Sequence, residues 1–141
     1  MTTDEFRLGW TQAQAATHRR TYRRLLLAVL LVQVAAGAVA LFAPLCVTSF
    51  LHLPEPMPDA YLRIAGLLLL TKVVLSLPGY MEPVFARWPN VTIILSHFVA
   101  AILLFCLGGN FRWIAAYALL VALVLFWAYK RLLGAELMSR P

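Results

Sequence analysis

Lys72 is the first candidate for chemistry in this sequence. It lies inside an apolar stretch, residues 61–78, that is long enough to cross a bilayer. A lysine near the middle of a spanning helix costs roughly 2.5–3.5 kcal/mol on insertion scales. We therefore expect its side chain to face protein, water or a counter-charge rather than lipid.

Two other polar side chains are predicted at the same depth as Lys72. Lys72 lies about six residues before the inner end of its predicted helix, and His97 lies about six or seven residues after the inner start of the next one. Gln33 follows the last residue of an arginine cluster by about nine residues, so all three lie roughly 9–14 Å below the cytoplasmic surface. They could therefore meet in one pocket of the inner leaflet. The neighbouring hydroxyl groups that could join this pocket are those of Ser96, Thr71 and Ser76.

Two interpretations of this pocket are open. In the functional one, Lys72 supplies positive charge and His97 a titratable ring to a lipid headgroup, a quinone or a proton. In the structural one, the same groups form a buried hydrogen-bond network that holds the helices in register. The predicted spans contain no acid to pair with Lys72, and Glu82 in the inner connection is the nearest candidate.

Other reaction classes find no support in the sequence. Bis-histidine haem needs two buried histidines at matched depth, whereas His18 and His52 are predicted outside the spans. Cys46 and Cys106 share a depth near the outer surface, so a pair is conceivable, although buried, inert thiols are the stronger expectation. No catalytic triad, metal cluster or phosphate loop is present in the sequence. We expect no cofactor, with a quinone or a lipid as the alternative.

The composition places these residues in a membrane protein. The chain has 141 residues, of which 62% are hydrophobic and 13% charged, whereas soluble domains are about 45–50% apolar and about 25% charged. Four spans are predicted, at about 25–47, 59–77, 91–107 and 112–129, in one transmembrane domain over residues 25–131. Residues 1–24 are predicted to form a cytoplasmic segment with a short amphipathic surface helix, and residues 132–141 a cytoplasmic tail. The fold class is an all-helical, four-helix transmembrane bundle.

The basic residues predict the orientation. Nine of the twelve Lys and Arg residues lie at what we take to be the inner ends of the spans or beyond them, which predicts cytoplasmic termini in a bacterial inner membrane. Placed at span ends, these charges do not indicate nucleic-acid binding. Besides Arg7 and Arg140, the nine include seven that are expected to contact headgroups: Arg19, Arg20, Arg23, Arg24, Arg87, Lys130 and Arg131.

From residue 61 onward the chain resembles the small four-helix DoxX-like membrane proteins of bacteria. The residues that carry the resemblance are Tyr61, Arg63, Gly66, the run Leu77-Pro78-Gly79-Tyr80, the run Leu107-Gly108-Gly109, and Tyr117. Ala118 stands where an acidic residue is expected soon after this tyrosine. Some DoxX-like proteins are small subunits of quinone-linked oxidoreductases, so the resemblance implies an accessory role.

The sequence thus favours a non-catalytic accessory or assembly subunit that binds the bilayer and other membrane subunits. Small-residue stripes such as Ala118 with Ala122 are expected to receive partner helices. The alternative is a lipid-, quinone- or proton-handling protein that works through Lys72 and His97.

Overall fold

The computed structural model describes residues 3–52 and 58–139, which form five helices joined by short connections. Four of the helices are long and apolar enough to span a bilayer, so the prediction of an all-helical protein with four spanning segments is confirmed. The exception is α2, which has eight residues. The helices are α1 (Thr3–Phe42), α2 (Pro44–Leu51), α3 (Asp59–Met81), α4 (Arg87–Leu107) and α5 (Phe111–Met138).

α1 is longer than the first predicted span. It runs without interruption through residues 24 and 25, where we expected a surface helix to give way to the span. The chain has neither Gly nor Pro between residues 10 and 36, so nothing in the sequence ends a helix there. Its 40 residues correspond to about 60 Å, twice the thickness of the hydrocarbon core.

Proline governs where α1 ends and α2 begins. α1 stops at Phe42, five residues before the predicted end at 47, and Pro44 occupies the start of α2, where its missing N–H costs nothing. α2 ends at Leu51, and its C-cap residue, His52, has a φ of 50°, in the left-handed region. The first part of the predicted outer loop is therefore helical, and its residues 53–57 lie outside the described part of the chain.

The other spans also extend beyond their predicted limits. α3 continues past Pro78 to Met81, because a proline near a helix end removes one hydrogen bond without stopping the last turn. α4 begins four residues before residue 91, with Pro89 in its first turn. α5 continues nine residues past 129, since residues 130–138 are mostly good helix formers.

The four long helices pack as an antiparallel bundle. α1 lies against α3 and α5, and α4 lies against α5 and, less extensively, α3. One end of the bundle collects the start of α1, the end of α3, the start of α4 and the end of α5, and we call it the terminal end. An apolar core occupies that end and contains Tyr22, Leu26, Ile93, Leu125 and Leu132.

Small residues bring α1 and α3 together. A Cβ placed on Gly66 would lie 2.6 Å from the carbonyl oxygen of Gly37 and 2.8 Å from the backbone nitrogen of Leu41. On α1 the contact is made at Gly37 and Ala40, whereas Ala36 is exposed. Small side chains that allow backbones to approach are a common basis of helix association in membranes.

The alanine stripe of α5 is used inside the chain. Ala118 and Ala122 are 5% and 0% exposed, as parts of a buried face that continues through Leu125 to Leu132. The expectation that this stripe receives a partner helix is therefore wrong, because α5 packs these alanines against the other helices of its own bundle. The surface that faces outward is instead made of large apolar side chains, as a lipid-facing surface requires.

Candidate functional site

Three polar side chains from three helices meet in the interior of the bundle. The amide Nε2 of Gln33 on α1 lies 2.8 Å from Nε2 of His97 on α4. The amine of Lys72 on α3 lies 3.5 Å from Nδ1 of the same ring. Gln33 and His97 are buried, and Lys72 is half-buried. We call these three residues the polar cluster.

The hydrogen bonds of the cluster fix the tautomer of His97. Nδ1 lies 2.7 Å from the carbonyl oxygen of Ile93, which can only accept, so Nδ1 carries the proton and donates it. In a neutral ring Nε2 is then the acceptor, and Gln33 donates to it through its amide N–H. The Nδ1–H already has its acceptor, so Lys72 faces the ring without a hydrogen bond to it. This arrangement leaves Oε1 of Gln33 buried without a partner among the described residues.

Lys72 has no carboxylate partner in the described part of the chain. The ion pair found there joins Arg19 and Glu136, at the terminal end. Glu82, which the sequence offered as the nearest partner, is exposed at the C-cap of α3, ten residues beyond Lys72. Ten residues of helix correspond to about 15 Å, so Glu82 is too far along the axis to reach the amine.

The three predicted hydroxyl groups do not join the cluster. Each donates a hydrogen bond to a carbonyl oxygen of its own helix. The distances are 2.8 Å from Ser76 to Lys72, 2.8 Å from Ser96 to Ile93 and 2.9 Å from Thr71 to Leu67. This local bond is the usual choice for a hydroxyl inside an apolar helix. Of the six residues predicted for the pocket, the structure thus brings together Gln33, Lys72 and His97.

A second polar group, centred on Asn90, lies at the terminal end. Asn90 is fully buried, and its Oδ1 accepts from the hydroxyl of Tyr22 at 2.8 Å. Its Nδ2 donates to the carbonyl oxygens of Pro83 at 3.1 Å and Ala86 at 3.0 Å. The Tyr129 ring packs on that of Tyr22 with centroids 5.3 Å apart. Asn90 thereby ties α1 to the α3–α4 connection.

Sequence reasoning missed this group because Asn90 follows Pro89 in what was predicted to be a loop. The sequence did contain a signal. If the helix begins before Asn90, this polar side chain lies inside an apolar helix and needs hydrogen-bond partners. A Cβ on Gly79 would lie 2.5 Å from Oδ1 of Asn90, so the glycine makes room for the amide.

The predicted basic residues lie in several different environments. Arg19 donates to the carboxylate of Glu136, Arg23 donates to the carbonyl oxygen of Met81, and the Arg131 guanidinium lies 4.2 Å above the centroid of the Trp127 ring. The others are exposed in the structure: Arg20, Arg24, Arg87 and Lys130.

The cysteines differ from expectation. Cys46 and Cys106 are both free and both exposed, so the prediction that they are buried is wrong. Within the described ranges, no set of three or more His, Cys, Asp and Glu side chains is arranged to hold a metal ion.

Comparison with protein-family models, with curated proteins and with solved structures finds no match for this chain. The resemblance to DoxX-like proteins stays a prediction from the sequence.

Proposed function

We propose that this chain is a small, non-catalytic accessory or assembly subunit of a larger complex in a bacterial inner membrane, with both termini in the cytoplasm. The observation that carries the proposal is the length of α1. Arg23 contacts the carbonyl of Met81, at the end of α3, so residues 3–22 of α1 extend past the end of that helix. Twenty residues of helix correspond to about 30 Å.

This extension is only partly covered by the rest of the protein. α5 accompanies it as far as the Arg19–Glu136 pair, and Ala15 is the last buried residue towards the start of α1 whose side chain is described. The exposed side chains around it are mostly polar or small, for example Gln12, Gln14 and Arg20. We call residues 3–17 the arm.

Five of the seven arm residues whose side chains are described, residues 11–17, are exposed, and this uncovered surface supports a docking role. Isolated helices of this length are marginal in water, because most helical stability in proteins comes from packing. A partner subunit that packs on the arm supplies the missing contacts. The basic residues at the base of the arm support its cytoplasmic placement, and the resemblance to DoxX-like accessory subunits points the same way.

Copurification from mild detergent tests this proposal. Ala16 is exposed in the arm, so Ala16→Glu leaves the bundle intact, keeps a good helix former and places a charge on the docking surface. We expect the partner subunits recovered with the tagged full-length protein to fall by tenfold or more, in line with roughly 1.4 kcal/mol or more lost at the interface.

Met138→Glu is the matched control, since Met138 is 78% exposed at the end of α5, outside the arm. This variant should recover the partners of the wild type. If Ala16→Glu also recovers them in full, the arm is not the docking surface and the proposal loses its support.

The polar cluster favours a second candidate function, proton handling. Among the described residues, two groups of the cluster lack a partner: the amine of Lys72 has no carboxylate, and Oε1 of Gln33 has no hydrogen bond. If the side-chain amide of Gln33 rotated by 180°, its Oε1 would face Nε2 of His97. Oε1 would then accept a hydrogen bond from Nε2 after that nitrogen has taken up a proton. The ring could then release its Nδ1 proton to a neutral Lys72 amine 3.5 Å away, and the ring would be neutral again.

Proton uptake by proteoliposomes with an imposed pH gradient tests this candidate. Lys72→Met keeps the length of the side chain and removes the proton acceptor, so uptake should fall at least tenfold, to the level of empty liposomes. Arg63→Met changes a cation of the same helix that is exposed and distant from the cluster, and it should keep the wild-type rate. Equal rates for Lys72→Met and the wild type would assign the cluster to helix register alone.

A further inference from the structure

A groove lies on the outside of the bundle between α4 and α5, in the half nearer the terminal end. Its volume is about 670 Å³, within the range of about 300–1,000 Å³ that ligand sites usually occupy. The walls are largely apolar and come from Val91, Leu95 and Phe98 on α4 and from Phe126 and Leu133 on α5. It opens on an outer face of the bundle where large apolar side chains such as Leu95 and Phe126 are exposed.

Gly134 lies in the wall of this groove, in the last part of α5. A Cβ on Gly134 would meet no atom within 4 Å, so neighbouring side chains do not require a glycine here. The absence of a side chain instead keeps the groove open over the last turns of α5.

Two cations line the groove and the cavity beside it. Lys130 lines the groove itself, and Arg87 lines an adjoining cavity of about 130 Å³ that shares Leu133 and Leu137 with it. Both are exposed, and no described carboxylate pairs with either. Glu136 also lines the small cavity, but it binds Arg19. An apolar channel therefore leads to two uncompensated positive charges.

We propose that this groove binds a phospholipid with an anionic headgroup, with one acyl chain along α4 and α5 and the phosphate between Lys130 and Arg87. The phosphate supplies the negative charge and the acceptor oxygens that the two cations lack. The α4 wall from Val91 to Phe98 is about 10 Å long along the helix axis, so it is long enough to contact the first part of an acyl chain. A partner helix is the less suitable occupant, because an apolar helix face leaves both cations unneutralised.

Native mass spectrometry of the full-length protein, titrated in mild detergent with phosphatidylglycerol or phosphatidylcholine, tests the proposal. Each basic side chain near a headgroup is expected to favour the anionic lipid about fivefold. We therefore expect phosphatidylglycerol to bind at least tenfold more tightly than phosphatidylcholine. Lys130→Gln and Arg87→Gln should each reduce that preference about fivefold.

Two matched controls separate this site from general surface charge and size. Arg63→Gln removes one exposed cation of α3, away from the groove, and should leave the preference unchanged. Gly134→Leu fills the groove and should weaken the binding of both lipids at least fivefold. Ala28→Leu, on the exposed face of α1, should leave the binding of both unchanged. Circular dichroism of each variant checks that the helices are intact.

Four results would overturn the proposal. Equal affinity for the two lipids would mean that the two cations do not select the headgroup. An Arg63→Gln loss as large as that of Lys130→Gln would mean that net charge alone attracts the lipid. A dimer that Gly134→Leu disrupts would mean that a second copy of the chain occupies the groove. Unchanged lipid binding in Gly134→Leu would place the lipid elsewhere.

Discussion

Replacing Gly66 by alanine is expected to lower the free energy of unfolding by about 1–3 kcal/mol, the usual cost of overpacking a tight contact. The new Cβ would meet the carbonyl oxygen of Gly37 at 2.6 Å and the nitrogen of Leu41 at 2.8 Å. Both atoms belong to the backbone of α1, so no side-chain rotation relieves the clash. The two helices must move apart along their contact.

Unfolding in mixed detergent micelles, followed by circular dichroism as the fraction of denaturing detergent rises, measures this effect. Gly134→Ala is the matched control, since the same change there meets no atom within 4 Å and gains helix propensity of up to about 1 kcal/mol. Gly37→Ala should fall between the two, because its nearest contacts are longer: the Leu70 side chain at 3.0 Å and the carbonyl oxygen of Gly66 at 3.1 Å. If Gly66→Ala and Gly134→Ala unfold at the same point, α1 and α3 do not cross as closely as described.

The four spans could be predicted from the sequence because their signal depends on composition over many residues. About 20 apolar residues between polar connections leave little choice but a spanning helix. The ends of the helices were harder to predict, because proline is compatible with the first and last turns. Pro78 and Pro89 were taken as stronger barriers than they are, whereas α1 ends before Pro44, five residues short of its predicted end at 47.

The faces of the helices could not be predicted in the same way. In a soluble helix the polar side chains mark the outside, but here lipid and protein interior are equally apolar and the pattern disappears. Ala118 and Ala122 were therefore expected to face a partner, although they face the chain's own core. Cys46 and Cys106 were expected to be buried for the same reason.

Depth along the membrane, in contrast, could be predicted well for part of the site. Helix rise alone placed Gln33, Lys72 and His97 at one level, and the structure brings their side chains together. Helix rise does not show towards which neighbouring helix a side chain points. Thr71 was therefore included in the predicted pocket, although its hydroxyl donates to a carbonyl oxygen of its own helix. Glu82 was offered as a partner for Lys72 because helix α3 was expected to end one turn earlier.

Asn90→Ala is expected to give the second large loss of stability. Asn90 is fully buried and holds three groups at once: the hydroxyl of Tyr22 and the carbonyl oxygens of Pro83 and Ala86. Truncation leaves these groups without their partner, at a cost of about 1–3 kcal/mol for each one that water cannot reach. The same unfolding assay in mixed micelles measures the loss.

Two further variants separate the contributions to this loss. Tyr22→Phe removes one hydrogen bond of the group and should cost less than Asn90→Ala, because the two carbonyl bonds survive. Asn110→Ala removes an exposed asparagine that donates to Leu51 at 3.3 Å, and its effect should stay within about 0.5 kcal/mol. A loss for Asn90→Ala no larger than that of Asn110→Ala would contradict the buried network. Since Asn90 links α1 to the α3–α4 connection, a large loss would mean that this polar group, and not apolar packing alone, holds the terminal end together.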